Sequence, residues 1–423
     1  MKAIIPIMAL AAPVMDLIRN FILRVTTLAL VGLVSLTVKG ATVEEQQKLA
    51  AANNGFAFRL LKEISRCEPG KNIFISPYSA ATVLQMVCNG AEGQTRREMQ
   101  RVLGTTGFSQ DALNAVCREC QNSLDNQGTN VLLAVANSIW YRHSIAVKPE
   151  FMSRNQQFFS ATVQGLNFDD PRSVEIINGW ASEKTQGKIS KVADGIIDPM
   201  TQLFLANAVC FKGKWLEPFK AKETRDRPFQ LNQGRQVKVP MMEQMRTFTY
   251  RKGTGYQAVR LAYEGWQLGL YIFLPDPKSS PENLLGTMSG ETWQKVTEPG
   301  FGEREGTVAL PKFKLEYGVE LKKPLMAMGM IAAFGKADLS RISDDPLFVS
   351  AVRQRAFVEV NEEGTEAAAV TAATVNSYGI VTDPPKPFQM IVDRPFFFLI
   401  HDTVTHTILF MGVVYDPGAS SRG

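Results

Sequence analysis

Apolar residues first recur at helical spacing. Between residues 44 and 63, Leu49, Phe56, Phe58, Leu60 and Leu61 stand among polar positions, which predicts an amphipathic helix. Residues 72–75 form a short apolar run, and Ser76 and Pro77 follow as a cap and a first-turn proline. A buried strand leading into a helix is predicted there. Residues 95–103 and 109–124 repeat the helical period. The pattern then changes. Residues 130–141, 201–211, 248–250, 256–261 and 268–274 are apolar and rich in β-formers, and 307–316 alternate around Pro311. Residues 396–400 and 407–414 predict a closing hairpin of buried strands. Helices dominate early and strands late, with little regular βαβ alternation, which predicts an α+β fold with mixed or antiparallel sheets.

The amino terminus departs from this pattern. Residues 25–38 are uncharged and apolar, a run short for a membrane span but suited to the core of a signal peptide. Arg19 and Arg24 precede it as a positive flank, and Met15 would also serve as a start. Cleavage after Gly40 or Ala41 would leave a polar start at Thr42. Residues 1–40 are therefore expected to be a signal peptide, with an uncleaved membrane anchor as the alternative. Residues 41–423 carry no repeat, low-complexity linker or charge block and are expected to form one domain acting outside the cytoplasm, whether secreted or periplasmic.

Composition narrows the function. The 423 residues hold 46 Lys and Arg against 41 Asp and Glu, a net charge of +5 without long basic clusters, so nucleic acid is not an expected partner. Three histidines (His143, His401, His406) leave little room for a metal site or a His-based catalytic centre. His401 and His406 flank residues 403–407, expected to be a surface hairpin. Five cysteines are too few and too odd for a disulfide framework. Cys117 and Cys120 have redox spacing but no second pair, and read as two half-buried helix cysteines. There is no GxSxG, phosphate loop, HExxH or dinucleotide glycine motif. The balance moves from enzyme to binding or inhibitory protein, with no metal and no cofactor.

One segment stands apart. Residues 362–379 run Glu-Glu-Gly-Thr-Glu-Ala-Ala-Ala-Val-Thr-Ala-Ala-Thr-Val-Asn-Ser-Tyr-Gly. Helix propensity favours a helix. In a strand, however, Thr365, Ala367, Ala369, Thr371, Ala373 and Val375 would share one face without a charge or a bulky group, and Glu366 would lie on the other. Such a segment could stand exposed as a loop and also slide into the middle of a sheet.

Here the chain resembles the serpins. Residues 362–365 with the alanine-rich run after them match the hinge of inhibitory members. Residues 390–400, Met-Ile-Val-Asp-Arg-Pro-Phe-Phe-Phe-Leu-Ile, match the carboxy-terminal signature. Further matches are residues 72–79 with 89–91 and Thr95, residues 207–215, residues 178–180 with 185–189, and residues 310–313. The resemblance implies three β-sheets, about nine helices and an exposed reactive-centre loop at about 362–387. It also implies a monomeric suicide-substrate inhibitor, not an enzyme, that forms a covalent complex with a serine protease.

The family's spacing from the hinge glycine puts the scissile bond at Tyr378–Gly379, which suits a chymotrypsin-like pocket. The proline-bearing stretch that follows is long, so the bond could lie a residue or two later, towards Ile380. The hinge would comprise Glu362, Glu363, Gly364, Thr365, Ala367, Ala369 and Thr371. Ser76, Ser79 and Asn207 match the shutter under the opening sheet, with Gln354 where the family often has His, and Trp215 matches the breach at its top. The helix over 109–124 has only Arg118 as a cation, so no heparin-type cofactor is expected. A non-inhibitory carrier, storage protein or chaperone, or an inhibitor of cysteine proteases, are the alternatives.

Overall fold

Thr42 starts the first helix, α1 (Val43–Cys67). Its hydroxyl accepts from the Glu45 amide while the Glu45 carboxylate accepts from the Thr42 amide, a complete capping box. This computed structural model describes residues 41–125, 131–195, 197–231, 234–297, 300–365 and 386–419. The expected signal segment 1–40 lies outside them. After α1 come β1 (Ile73–Ile75), α2 (Pro77–Cys88), α3 (Gly93–Leu103), α4 (Gln110–Asp125), β2 (Val131–Arg142), α5 (Pro149–Phe159), β3 (Thr162–Leu166), α6 (Arg172–Lys184) and β4 (Leu203–Lys214). Then follow β5 (Arg225–Gln230), β6 (Gln236–Gly253), β7 (Tyr256–Ala262), β8 (Leu268–Pro275), α7 (Pro281–Thr287), α8 (Gly290–Thr297), β9 (Gly302–Pro311), β10 (Phe313–Glu320) and α9 (Lys322–Ala327). The chain closes with β11 (Val349–Val360), β12 (Gly364–Thr365), β13 (Phe388–Ile391), β14 (Phe396–Asp402) and β15 (Thr407–Val414). Nine α-helices among the described residues agree with the expected number, and the class is α+β.

The strands fall into two sheets among the described residues, not three. The nine-stranded sheet has the order β1-β15-β14-β8-β7-β6-β9-β13, with β5 also on β6. The reason is β6, 18 residues long, which pairs β5 over its first third, β7 over its last residues and β9 along its middle and end. One hydrogen-bonded strand thus joins what would otherwise be separate sheets. In the sequence only residues 248–250 stood out as strand, because the exposed half of β6 alternates with lysine, arginine and glutamate. The six-stranded sheet has the order β10-β11-β4-β2-β3, with β12 added on β4. Residues 307–316, expected as one strand, are two. The chain leaves the first sheet at Pro311, opposite Met241, and enters the second at Phe313, opposite Val360.

β4, at the centre of the six-stranded sheet, is buried on both faces along most of its length, which explains why it reads as a continuous apolar run. Leu203, Leu205, Val209 and Phe211 join the main core with α1, α2 and the closing hairpin. Phe204, Ala206, Ala208 and Cys210 face a second cluster under α6, where Trp140 and Trp180 meet edge to face at 5.9 Å. The hairpin β14–β15 forms as expected, but His401 is not at the surface. It is buried within β14, against Tyr271 and Trp293. Cys117 and Cys120 lie on α4, and burial pushes both thiols up, away from redox reactivity.

The backbone of β15 passes close under an aromatic ring at Gly412. A methyl group there would lie 2.6 Å from Phe398 and 2.7 Å from the Ile73 carbonyl oxygen. Gly412→Ala is expected to destabilise the fold by roughly 1–3 kcal/mol through this overpacking, read as a lower thermal unfolding midpoint.

Candidate functional site

The centre of the six-stranded sheet is a seam. β4 and β11 run side by side in parallel, from Val349 beside Leu203 to Val358 beside Phe211. Beyond Phe211 the chain of β11 turns back at residues 361–364, and β12 pairs antiparallel with the end of β4, Gly364 with Lys214 and Thr365 with Gly213. On its other edge Gly213 is held by Val131 of β2. β12 therefore sits between β11 and β4 at one end of the sheet, as the first two residues of a strand that goes no further among the described residues.

Several bonds fix that turn. The Trp215 amide donates to the Glu363 carbonyl at 3.0 Å and the Phe219 amide to the Glu362 carbonyl at 2.8 Å. The Trp215 indole N–H donates to the Asn361 carbonyl at 2.9 Å, and its ring stacks on Tyr263 at 4.6 Å. The Glu362 carboxylate bonds the Lys312 ammonium and the Thr224 hydroxyl, both at 2.8 Å. Burial opposes the charge on Glu362, but these two donors outweigh it and hold the carboxyl below its ordinary pKa. Gly364 has φ +143°, and a Cβ would fall 2.1 Å from the Gly213 carbonyl oxygen, so only glycine fits there.

Halfway along the seam lies a buried polar cluster. Gln354 of β11, Asn207 of β4 and Asn137 of β2 stand opposite one another across three strands. Gln354 Nε2 donates to Asn207 Oδ1 at 2.6 Å, across the seam itself. Asn207 Nδ2 donates to Asn137 Oδ1 at 2.6 Å and to the Ser79 hydroxyl. Gln354 also bonds both backbone groups of Ser76, accepting from its amide and donating to its carbonyl, each at 2.9 Å. Ser76 caps α2 by accepting from the Ser79 amide, and its hydroxyl donates to the Leu409 carbonyl at 2.8 Å. The cluster thus ties both sides of the seam to α2 and to β15.

The structure brings Ser76, Ser79, Asn207 and Gln354 together, and sets Trp215 beside Glu362, Glu363 and Gly364. Thr365 is placed through its backbone. Ala367, Ala369, Thr371, Tyr378 and Gly379 lie outside the described residues. Sequence reasoning missed Asn137, Lys312, Thr224 and Tyr263. Asn137 and Ser138 interrupt an otherwise apolar strand, a signal that could have marked a buried polar site. Lys312 and Thr224 carried no such signal.

A second feature is a cleft of about 1090 Å³ between α1 and α8, floored by Tyr271, Trp293 and His401. Burial pushes the His401 imidazole down to about 3, so it is neutral at pH 7, and its Nδ1 has no hydrogen-bond partner among the described residues.

Comparison with known proteins is consistent across sequence and structure. The family model described as serpin (serine protease inhibitor) matches residues 51–417. The leukocyte elastase inhibitor of Bos taurus is 36% identical over 389 residues, covering 88% of this chain and 100% of that protein. The native structure of tengpin, a thermophilic serpin, superposes with a TM-score of 0.80 at 28% identity, covering 89% of this chain and 96% of that one. Human thyroxine-binding globulin complexed with thyroxine has a TM-score of 0.80 at 25% identity, covering 89% of this chain and 100% of that one.

Two outcomes follow from the seam. Gln354→Leu leaves Ser76 and Asn207 with unpaired buried groups, so a loss of about 2–4 kcal/mol is expected in denaturant unfolding. Gly364→Ala expels β12 from its place, so amide hydrogen exchange over residues 363–365 is expected to accelerate at least tenfold, with the rest of β4 little changed.

Proposed function

This chain belongs to the serpin family, and on that premise we propose that it is a secreted, irreversible inhibitor of serine endopeptidases that traps its target as an acyl-enzyme. The observation that carries this reading is β12, already started between two parallel strands and followed by small, uncharged residues in the right phase. Carrying the register of Gly364 on Lys214 and Thr365 on Gly213 along β4 sets Ala367 against Phe211, Ala369 against Val209 and Thr371 against Asn207. Ala373 and Val375 then meet Leu205 and Leu203. Residues opposite one another share a face, so these five face the main core, where only small or apolar groups can be buried. Glu366 falls opposite Lys212 on the other face.

The mechanism follows in order. Residues 366–387 are offered to the protease as substrate. The protease serine attacks the carbonyl of the scissile bond, Tyr378–Gly379 in this reading, and the acyl-enzyme forms with release of the new amino terminus. The freed loop enters the seam as an antiparallel strand. One parallel pair becomes two antiparallel pairs, which are somewhat stronger per residue. With about ten additional backbone bonds at roughly 0.5–1.5 kcal/mol each, the gain is on the order of 10 kcal/mol. At about 3.3 Å per residue, the segment 364–378 spans roughly 50 Å, so the tethered protease is drawn to the far end of the sheet. Its serine is pulled from the histidine and oxyanion hole, and the ester persists. Tyr378 points to a chymotrypsin-like target. Residues 1–40 are read as a cleaved signal, and residues 41–423 as the mature, monomeric inhibitor.

The cleft beside α8 supports a second reading, a non-inhibitory carrier that holds a small aromatic molecule there. Incubation with chymotrypsin, trypsin, elastase and a papain-like protease separates the two. A complex stable in SDS, with a released carboxy-terminal peptide starting at Gly379, is expected with chymotrypsin. Cleavage of the loop without any stable complex would overturn the inhibitor reading. A stable complex with the papain-like protease alone would move the target class to cysteine proteases. Thr365→Arg is expected to convert inhibitor into substrate, raising the stoichiometry of inhibition at least severalfold, because a charge would have to enter the core beside Gly213.

A further inference from the structure

Ala41 is held by a carboxylate that has no cation partner among the described residues. Its backbone nitrogen donates to Glu119 Oε1 at 2.7 Å, and the Gln46 side-chain amide donates to Glu119 Oε2 at 2.8 Å. Glu119 projects from α4 and is half-buried. Among the described residues no lysine or arginine forms an ion pair with it. The position of the nitrogen is also fixed by packing. The Ala41 methyl rests on a small cluster of Leu49, Phe108, Leu113, Val116 and Cys120. The next residue, Thr42, is locked by the capping box of α1.

A peptide N–H is a neutral, single donor. It leaves the charge of a half-buried carboxylate without a counterpart. A terminal ammonium at the same atom would supply that charge and further donors, at the short distance typical of charge-assisted bonds. It would also need help there. The start of α1 carries the positive end of the helix dipole, which disfavours a cation one residue before the cap. Glu119 offsets that repulsion from a neighbouring helix.

We propose that Ala41 is the amino-terminal residue of the mature protein and that Glu119 is the receptor for its α-ammonium group. This rests on the reading of residues 1–40 as a cleaved signal. Hydrolysis of the Gly40–Ala41 amide by a signal peptidase consumes one water and leaves a carboxylate on Gly40 and an ammonium on Ala41. Of the two cleavage positions open in the sequence, this one keeps the methyl packing and converts the bond to Glu119 into an ion pair. Cleavage one residue later would remove both and leave Glu119 with Gln46 alone.

The test uses the full 423-residue chain expressed in a secreting host. The protein is collected from the medium, its amino terminus is read by mass spectrometry, and labelling of the α-amine by an amine-reactive ester is timed at pH 7. Wild type, Glu119→Gln and Glu119→Ala are compared, with thermal unfolding to confirm that each is folded. The expected result is a terminus at Ala41 and labelling about fivefold faster in both variants, because the ion pair keeps the amine protonated. A terminus at Thr42 or elsewhere would overturn the proposal and leave the secretion reading standing. A chain that keeps residues 1–40 would overturn both. Equal labelling in the three proteins would overturn the role of Glu119.

Discussion

The parallel contact between β4 and β11 is the constraint on which the rest depends. Two neighbouring strands in the middle of a sheet, buried on both faces, are joined in the weaker of the two pairing modes. A strand of opposite direction would satisfy each of them better. The chain carries the first two residues of such a strand, β12, at the open end of the seam. The seam is held not by backbone pairing alone but also by the buried side-chain row Gln354–Asn207–Asn137, tied to α2 by Ser76 and Ser79.

Other elements take their places from this seam. α2 must present its amino terminus, because only there are a free amide and a capping hydroxyl available beside Gln354. The crossover at Lys312 carries the chain from one sheet to the other and also brings a cation to Glu362 at the base of the turn. Trp215, stacked on Tyr263, closes the end of β4 and bonds the turn from below through its indole nitrogen. The turn is therefore clamped from both sheets, and Gly364 is the one residue whose absent side chain lets the backbone pass.

Much of this was legible in the residues and some was not. The helix start at Ser76 was readable because capping chemistry is local, whereas the capping box at Thr42 was not singled out. The apolar runs of β4, β14 and β15 were readable because burial on both faces leaves a continuous pattern. The length of β6 was hidden, since its exposed half looks like loop and only cross-strand pairing makes it a strand. The merging of two expected sheets into one follows from that same strand. His401 was misjudged as a surface residue because its neighbours Asp402 and Thr403 are polar, while its burial comes from Tyr271 and Trp293, far away in the chain. Partners such as Asn137 and Lys312 become visible only when the strands are laid side by side.

The phase of the small residues after Gly364 links these points. Extending the β12 register places Thr371 opposite Asn207, the residue whose amide bridges the seam to Gln354. Under the proposed insertion the lock is then replaced, not simply broken. While the bonds to Asn137, Ser79 and Ser76 remain, an apolar side chain at that position would leave the Asn207 Oδ1 acceptor and one Gln354 Nε2 hydrogen without the partners they now give each other, at about 1–3 kcal/mol for each unsatisfied group. A threonine hydroxyl can donate and accept between them. Its neighbours on the same face, Ala369 and Ala373, need no polar group, because Val209 and Leu205 opposite them make none available. The one polar residue in the inward-facing series 367–375 thus falls at the one polar row it would have to cross, which the helix propensity of the same residues would not explain.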